Sequence, residues 1–105
     1  MNTRNKKIFI GLIEVFAGEG NSLLDRGTIA FVNVLAIAEN EEEFNFKVKE
    51  AISYYGLTLK KIEDVELLEE RKKYFEVSDE LLDLADNLND KVNLRFGTFH
   101  TFINE

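Results

Sequence analysis

Two stretches of this chain, Lys7–Phe16 (KIFIGLIEVF) and Thr28–Ala38 (TIAFVNVLAIA), are apolar at odd and even positions alike. They are rich in Ile, Val and Phe, the residue types that suit a pleated strand. Alternate side chains of a strand point to opposite faces. The first strand therefore sets Ile8, Ile10 and Leu12 against Phe9, Ile13 and Val15. The second sets Phe31, Leu35 and Ile37 against Val32, Val34 and Ala36. A sheet with one wet face would alternate apolar and polar residues. These strands must be covered on both faces, either by the chain's own helices or by a second chain meeting the sheet.

Eleven residues, Ala17 to Gly27, join the two strands, more than a tight hairpin needs. Gly, Asn, Ser and Asp mark the stretch as a loop, and Leu23 and Leu24 are expected to tuck it down. Its Gly18-Glu19-Gly20 is followed by neither Lys-Ser nor Lys-Thr and precedes a strand. It is neither a P-loop nor a dinucleotide fingerprint.

A helix is predicted to open at Asn40, a good N-cap with Glu43 three residues on, as in a capping box. Phe44, Val48, Ala51, Ile52 and Tyr55 then share one helical face. Gly56 fits the position that ends such a helix. Leu57 to about Val65 reads as a third strand. Glu66 to Phe75 has helical spacing at Leu67, Leu68, Arg71, Tyr74 and Phe75, and predicts a short helix. Ser78 caps another helix, with Val77 packing on Leu82 as a staple and Leu81, Leu82, Leu84, Ala85 and Leu88 on its buried side; Asn89 or Asp90 ends it. Val92 to Ile103 is the last strand. Val92, Leu94 and Phe96 alternate, but Phe99 is three residues beyond Phe96, so one extra residue, a β-bulge, is expected at Gly97–Thr98. The chain thus predicts one α+β domain over residues 1–105. Its order is β-β-α-β-α-β, with two or three helices packed on a four-stranded, mostly antiparallel sheet, as a ferredoxin-like variant sandwich.

At 105 residues and 45% hydrophobic, the chain can bury one core without metals or disulfides. It has no Cys, so thiolate chemistry and Cys-ligated metals are excluded and a reducing cytoplasm suits it. No run approaches a membrane span, and the polar N-terminus does not read as a signal peptide. A single histidine excludes a multi-histidine metal site. Asp79, Asp83, Asp86 and Asp90 lie on a predicted helix without the glycine of a calcium loop, so no metal or other cofactor is expected. Ser22, Ser53 and Ser78 lie in no nucleophile elbow, and no enzyme is expected.

The net charge of −7 is uneven. Residues 1–38 hold four basic and three acidic side chains, residues 39–90 seven and sixteen, and residues 91–105 two and one. Such a middle should repel nucleic acid and anionic membranes and attract cations. Arg71-Lys72-Lys73 is flanked by Glu69, Glu70 and Glu76, and internal salt bridging accounts for it. Between Glu76 and Asp90 there are six acids and no base. Asp79–Asp83 and Asp86–Asp90 are like-charged pairs one turn apart, and the second sits where the helix dipole favours cations. A solubilising surface would explain this, but so would a recognition face for a basic protein. Glu76, Asp79, Asp83, Asp86 and Asp90, with Glu19 and Asp25 of the loop, are the expected contacts.

In general character the chain resembles the immunity proteins of bacterial toxin systems. That resemblance implies a cationic toxin domain, often a nuclease, as the partner to be neutralised. The alternative is a small ligand-binding protein or enzyme that uses Arg71, Arg95 and His100 and forms a homodimer through the second face of the sheet.

Overall fold

The computed structural model describes residues 7–18, 21 and 24–103. It is an α+β fold with an antiparallel sheet and helices on it. Strands β1 (Lys7–Phe16) and β2 (Thr28–Ala38) pair through ten consecutive positions, from Lys7 opposite Ala38 to Phe16 opposite Ile29. β3 (Thr58–Leu67) lies on the other side of β1. β4 (Leu94–Phe96) and β5 (His100–Ile103) follow one another along the free side of β2. The extra residue expected near Gly97 is there. Phe96 pairs with Val34 but His100 with Phe31, four steps on one strand against three on the other.

Helix α1 (Glu41–Tyr54) begins as its sequence predicts. The Asn40 carboxamide accepts the Glu43 amide at 2.8 Å. The Glu43 carboxylate reaches back one residue further than in a capping box and accepts the Glu39 amide at 2.7 Å. At the other end Gly56 takes φ +74, and its amide donates to Ser53 while that of Leu57 donates to Ile52. This crossed pair is the Schellman motif, which glycine makes without strain. α1 lays Phe44, Val48 and Ile52 on the sheet face that carries Phe9, Ile13, Val15, Val32 and Val34, all buried. Gly11 is what lets Phe44 lie flat there: a Cβ on Gly11 would come within 2.9 Å of the Phe44 ring.

The opposite face has its own, smaller core. Ile10 and Leu35 are buried beneath Leu68 of α2 (Leu68–Tyr74) and Ala85 of α3 (Asp79–Asp86), with Ile8, Val77, Leu81, Leu84 and Leu88 around them. Both faces of the central strands are thus covered by the chain's own helices, but the second only in part. Leu12, Phe16, Ile29 and Phe31 remain half-buried, and Phe102 is 56% exposed.

In α2 only Leu68 reaches the core, and Tyr74 and Phe75 are exposed. Two expectations need correction. The third helix ends at Asp86, so Asp90 is not on it. Asn87 and Asn89 stop it: the Asn87 side chain donates to the Asp83 carbonyl, and that of Asn89 accepts the amides of Lys91 and Val92. Such local side-chain bonds offer the backbone an alternative to the helix. Finally, the last strand is two strands broken at the bulge.

Gly11→Ala should destabilise the fold by about 1–2 kcal/mol, because overpacking beneath a fully buried ring outweighs the smaller gain in strand propensity. Urea unfolding checks this; an unchanged midpoint would mean that Phe44 does not rest on Gly11.

Candidate functional site

α3 is held so that its acids face outward. The Ser78 hydroxyl accepts the Leu81 amide at 3.3 Å and fixes the start of the helix. The Glu80 carboxylate accepts the Thr98 amide and hydroxyl, which ties the helix to the bulge between β4 and β5. Leu81, Leu84, Ala85 and Leu88 turn to the sheet. What remains on the outer side is Asp79, Asp83 and Asp86, all exposed, at spacings of four and three that line them up along the helix. Glu76 and Asp90, before and after the helix, are exposed as well. Among the described residues no ion pair engages Asp79, Asp83 or Asp86. Of the six acids from Glu76 to Asp90, Glu80 is bonded back into the fold.

Asp25 of the loop does not join this surface. Glu19 lies outside the described residues. Asp25 is exposed, but it follows the Phe16 end of β1, whereas α3 packs over Ile8 and Ile10. Ile10 and Phe16 are six residues apart on one strand, about 20 Å at the rise of a strand. Asn21 braces the loop locally, accepting the Leu24 amide and donating to the Gly18 carbonyl, both at 2.8 Å. Leu24 packs on the first core as expected; Leu23 and Ser22 lie outside the described residues.

Nor do Arg71, Arg95 and His100 converge. Arg95, Leu35, Ile10 and Glu66 stand in one row across the sheet, and Arg71 is bonded to Glu66 at the far end of that row. Three strand spacings, about 14 Å, and the second core therefore separate the two arginines. His100 pairs with Phe31, four residues, or about 13 Å, along β2 from Leu35. The Arg71 guanidinium is occupied by Glu66 and, at 3.1 Å, by the Asp64 carbonyl, with the Phe75 ring 6.0 Å away. Two members of the basic run, Arg71 and Lys73, are bridged internally. Lys73 donates to Glu70 at 2.9 Å, and that hydrogen bond raises its ammonium pKa above the ordinary lysine value.

One feature was not foreseen. Between α2 and α3, at the Ile8 end of the sheet, lies an open cleft of about 670 Å³. Ile8, Ile37, Leu67, Leu68, Leu82 and Ala85 line its apolar part. Asp86 and Asp90 stand on one side, and Glu69, Lys72 and Lys7 complete the rim. The signal in the sequence was Leu82. It widens the apolar stripe of α3 beyond what so short a helix can bury against a sheet.

Among the described residues no group of three or more acidic or histidine side chains is placed to hold a metal ion. No described helix is long and apolar enough to cross a membrane. Compared with known proteins, the chain matches no family, no curated protein and no solved structure.

Two of the outer acids of α3, Asp83 and Asp86, cost the fold stability. Asp83 repels Asp79 one turn away, and Asp86 sits at the negative end of the helix, whose last turn holds no base. Asp83→Asn with Asp86→Asn should stabilise the protein by roughly 0.5–1 kcal/mol in low salt, and less in high salt. A loss of stability in urea unfolding would show instead that these carboxylates serve the fold.

Proposed function

We propose that the chain is a non-enzymatic binding protein that engages a basic protein partner through the outer side of α3. Immunity proteins that neutralise cationic toxin domains, nucleases among them, are the kind of protein it resembles in character. What supports this reading is the exposed row Asp79, Asp83 and Asp86 on the outer side of α3, with Glu76 and Asp90 exposed before and after the helix; Asp83 and Asp86 are kept at a cost in helix stability. A field of one sign speeds encounter with a partner of the other sign and repels nucleic acid and anionic membranes. The cysteine-free composition suits work in a reducing compartment such as the bacterial cytoplasm.

A second reading draws on the other half of the same sheet face. Leu12, Phe16, Ile29 and Phe31, with the exposed Phe102, form an apolar area on which two copies could meet as a homodimer. Phe31 and Phe102 already meet edge to face, with centroids 5.7 Å apart. Light scattering decides this reading: a dimer that Phe102→Ser converts to monomer supports it, and a monomer at every concentration ends it.

For the first reading, the immobilised chain should retain a basic protein from its native lysate. The variant carrying Asp79→Asn, Asp83→Asn and Asp86→Asn should bind that protein at least about tenfold more weakly, and retention should fall steeply with added salt. A partner held equally by the variant and indifferent to salt would overturn the proposal.

A further inference from the structure

We infer that the cleft between α2 and α3 receives an apolar side chain of the basic partner, flanked by a lysine or arginine that meets Asp86 and Asp90. The inference rests on the reading of α3 as the partner-binding element and specifies what that partner must present. Two observations converge on it. First, Ile37 and Leu82 are half-buried aliphatic side chains that belong to neither core, and both line the cleft. Apolar surface of this kind, concave and rimmed by polar groups, is where interfaces seat an anchor residue. Second, the cleft adjoins the acidic row of α3: Asp86 belongs to both, and the exposed Asp90 lines the cleft beside it.

The charges on the rim choose the sign of the occupant. Three acids, Glu69, Asp86 and Asp90, face two bases, Lys7 and Lys72. The acids on the α3 side continue outward as Asp83 and Asp79, whereas α2 carries both signs, two acids then three bases, and bonds Lys73 to Glu70. A cation beside the anchor thus meets a field that extends beyond the cleft. An anion would meet Lys7 and Lys72 alone, with three carboxylates nearby.

The test is a titration of the isotope-labelled full chain, followed by amide NMR, with three acetylated and amidated hexapeptides. AKLFKA carries an apolar pair between lysines, AKSSKA replaces that pair with serines, and AELFEA reverses the charges. AKLFKA should shift the amides of Leu68, Leu82 and Ala85 saturably. AKSSKA should bind at least about fivefold more weakly, since it loses the burial of the anchor. Asp86→Asn with Asp90→Asn, both at exposed positions, should weaken AKLFKA about fivefold, the scale of exposed ion pairs. Leu82→Ser, with its fold checked by circular dichroism, should weaken it by a similar factor. If AKSSKA binds as well as AKLFKA, the cleft plays no part and the inference falls, while the acidic line still stands as a contact for basic proteins. If AELFEA binds better, or no peptide binds at the cleft, the inference is overturned, and capture of a salt-sensitive basic partner would still uphold the broader reading.

Discussion

The ten-position pairing of β1 with β2 is the constraint from which the other elements follow. Both strands are apolar on both faces, so water must be kept from two surfaces at once. The chain does this with its two crossing connections. From β2 it passes to β3, on the far side of β1, by way of α1 over one face. From β3 it returns to β4 beside β2 by way of α2 and α3 over the other. The lengths of these helices decide how well each face is covered. α1 has 14 residues and spans about 21 Å, whereas α3 has eight and spans about 12 Å. A ten-residue strand is about 33 Å long. The second face is therefore left open over half its length because its helices are too short to reach further.

The parts legible in the sequence were those where local chemistry and global packing agree. The dual-faced strands, the Asn40 and Ser78 caps, the Gly56 terminator and the extra residue near Gly97 each follow from a residue type at a fixed offset. The missed parts depend on tertiary context. β3 shifts register against β1 twice, between Ile10 and Leu12 and between Glu14 and Val15. Asp64 takes φ +56 in the first of these shifts. An aspartate can adopt that conformation, but nothing in Lys61–Val65 announces it. The helical spacing of Leu68, Arg71 and Tyr74 foretold α2, but not that only Leu68 finds cover, which follows from where this short segment rests on the sheet. The separation of Arg71, Arg95 and His100 could not be read without the pairing order, because closeness along the last strand says nothing about which row of the sheet each residue occupies.

The acids divide by the same geometry. Glu43 and Glu80 are used by the fold, one closing the start of α1 and the other holding the bulge. Glu66 and Glu70 are matched by Arg71 and Lys73. The carboxylates on the outer side of α3 have no such partner among the described residues, and this is not for want of bases in the chain. Lys72 of α2 lies across the cleft, which keeps it apart from the acids of α3. The same space that exposes Leu82 thus also leaves Asp86 unneutralised.

The two halves of the second sheet face consequently differ in chemistry. At the Ile8 end, apolar side chains lie beneath an acidic lip. At the Phe16 end, Phe16, Ile29, Phe31 and Phe102 lie beside a cross-strand Glu14–Lys61 pair, Glu63 and His100, with no acidic helix behind them. A cationic protein approaching this face is drawn more strongly to the first half, where the acids of α3 extend the field, than to the second. A second copy of the chain meets the reverse: like charge opposes it at α3, and aromatic surface admits it at β5. Both properties follow from where an eight-residue helix stops, because α3 buries one end of the face, lines the cleft and leaves the other end to solvent.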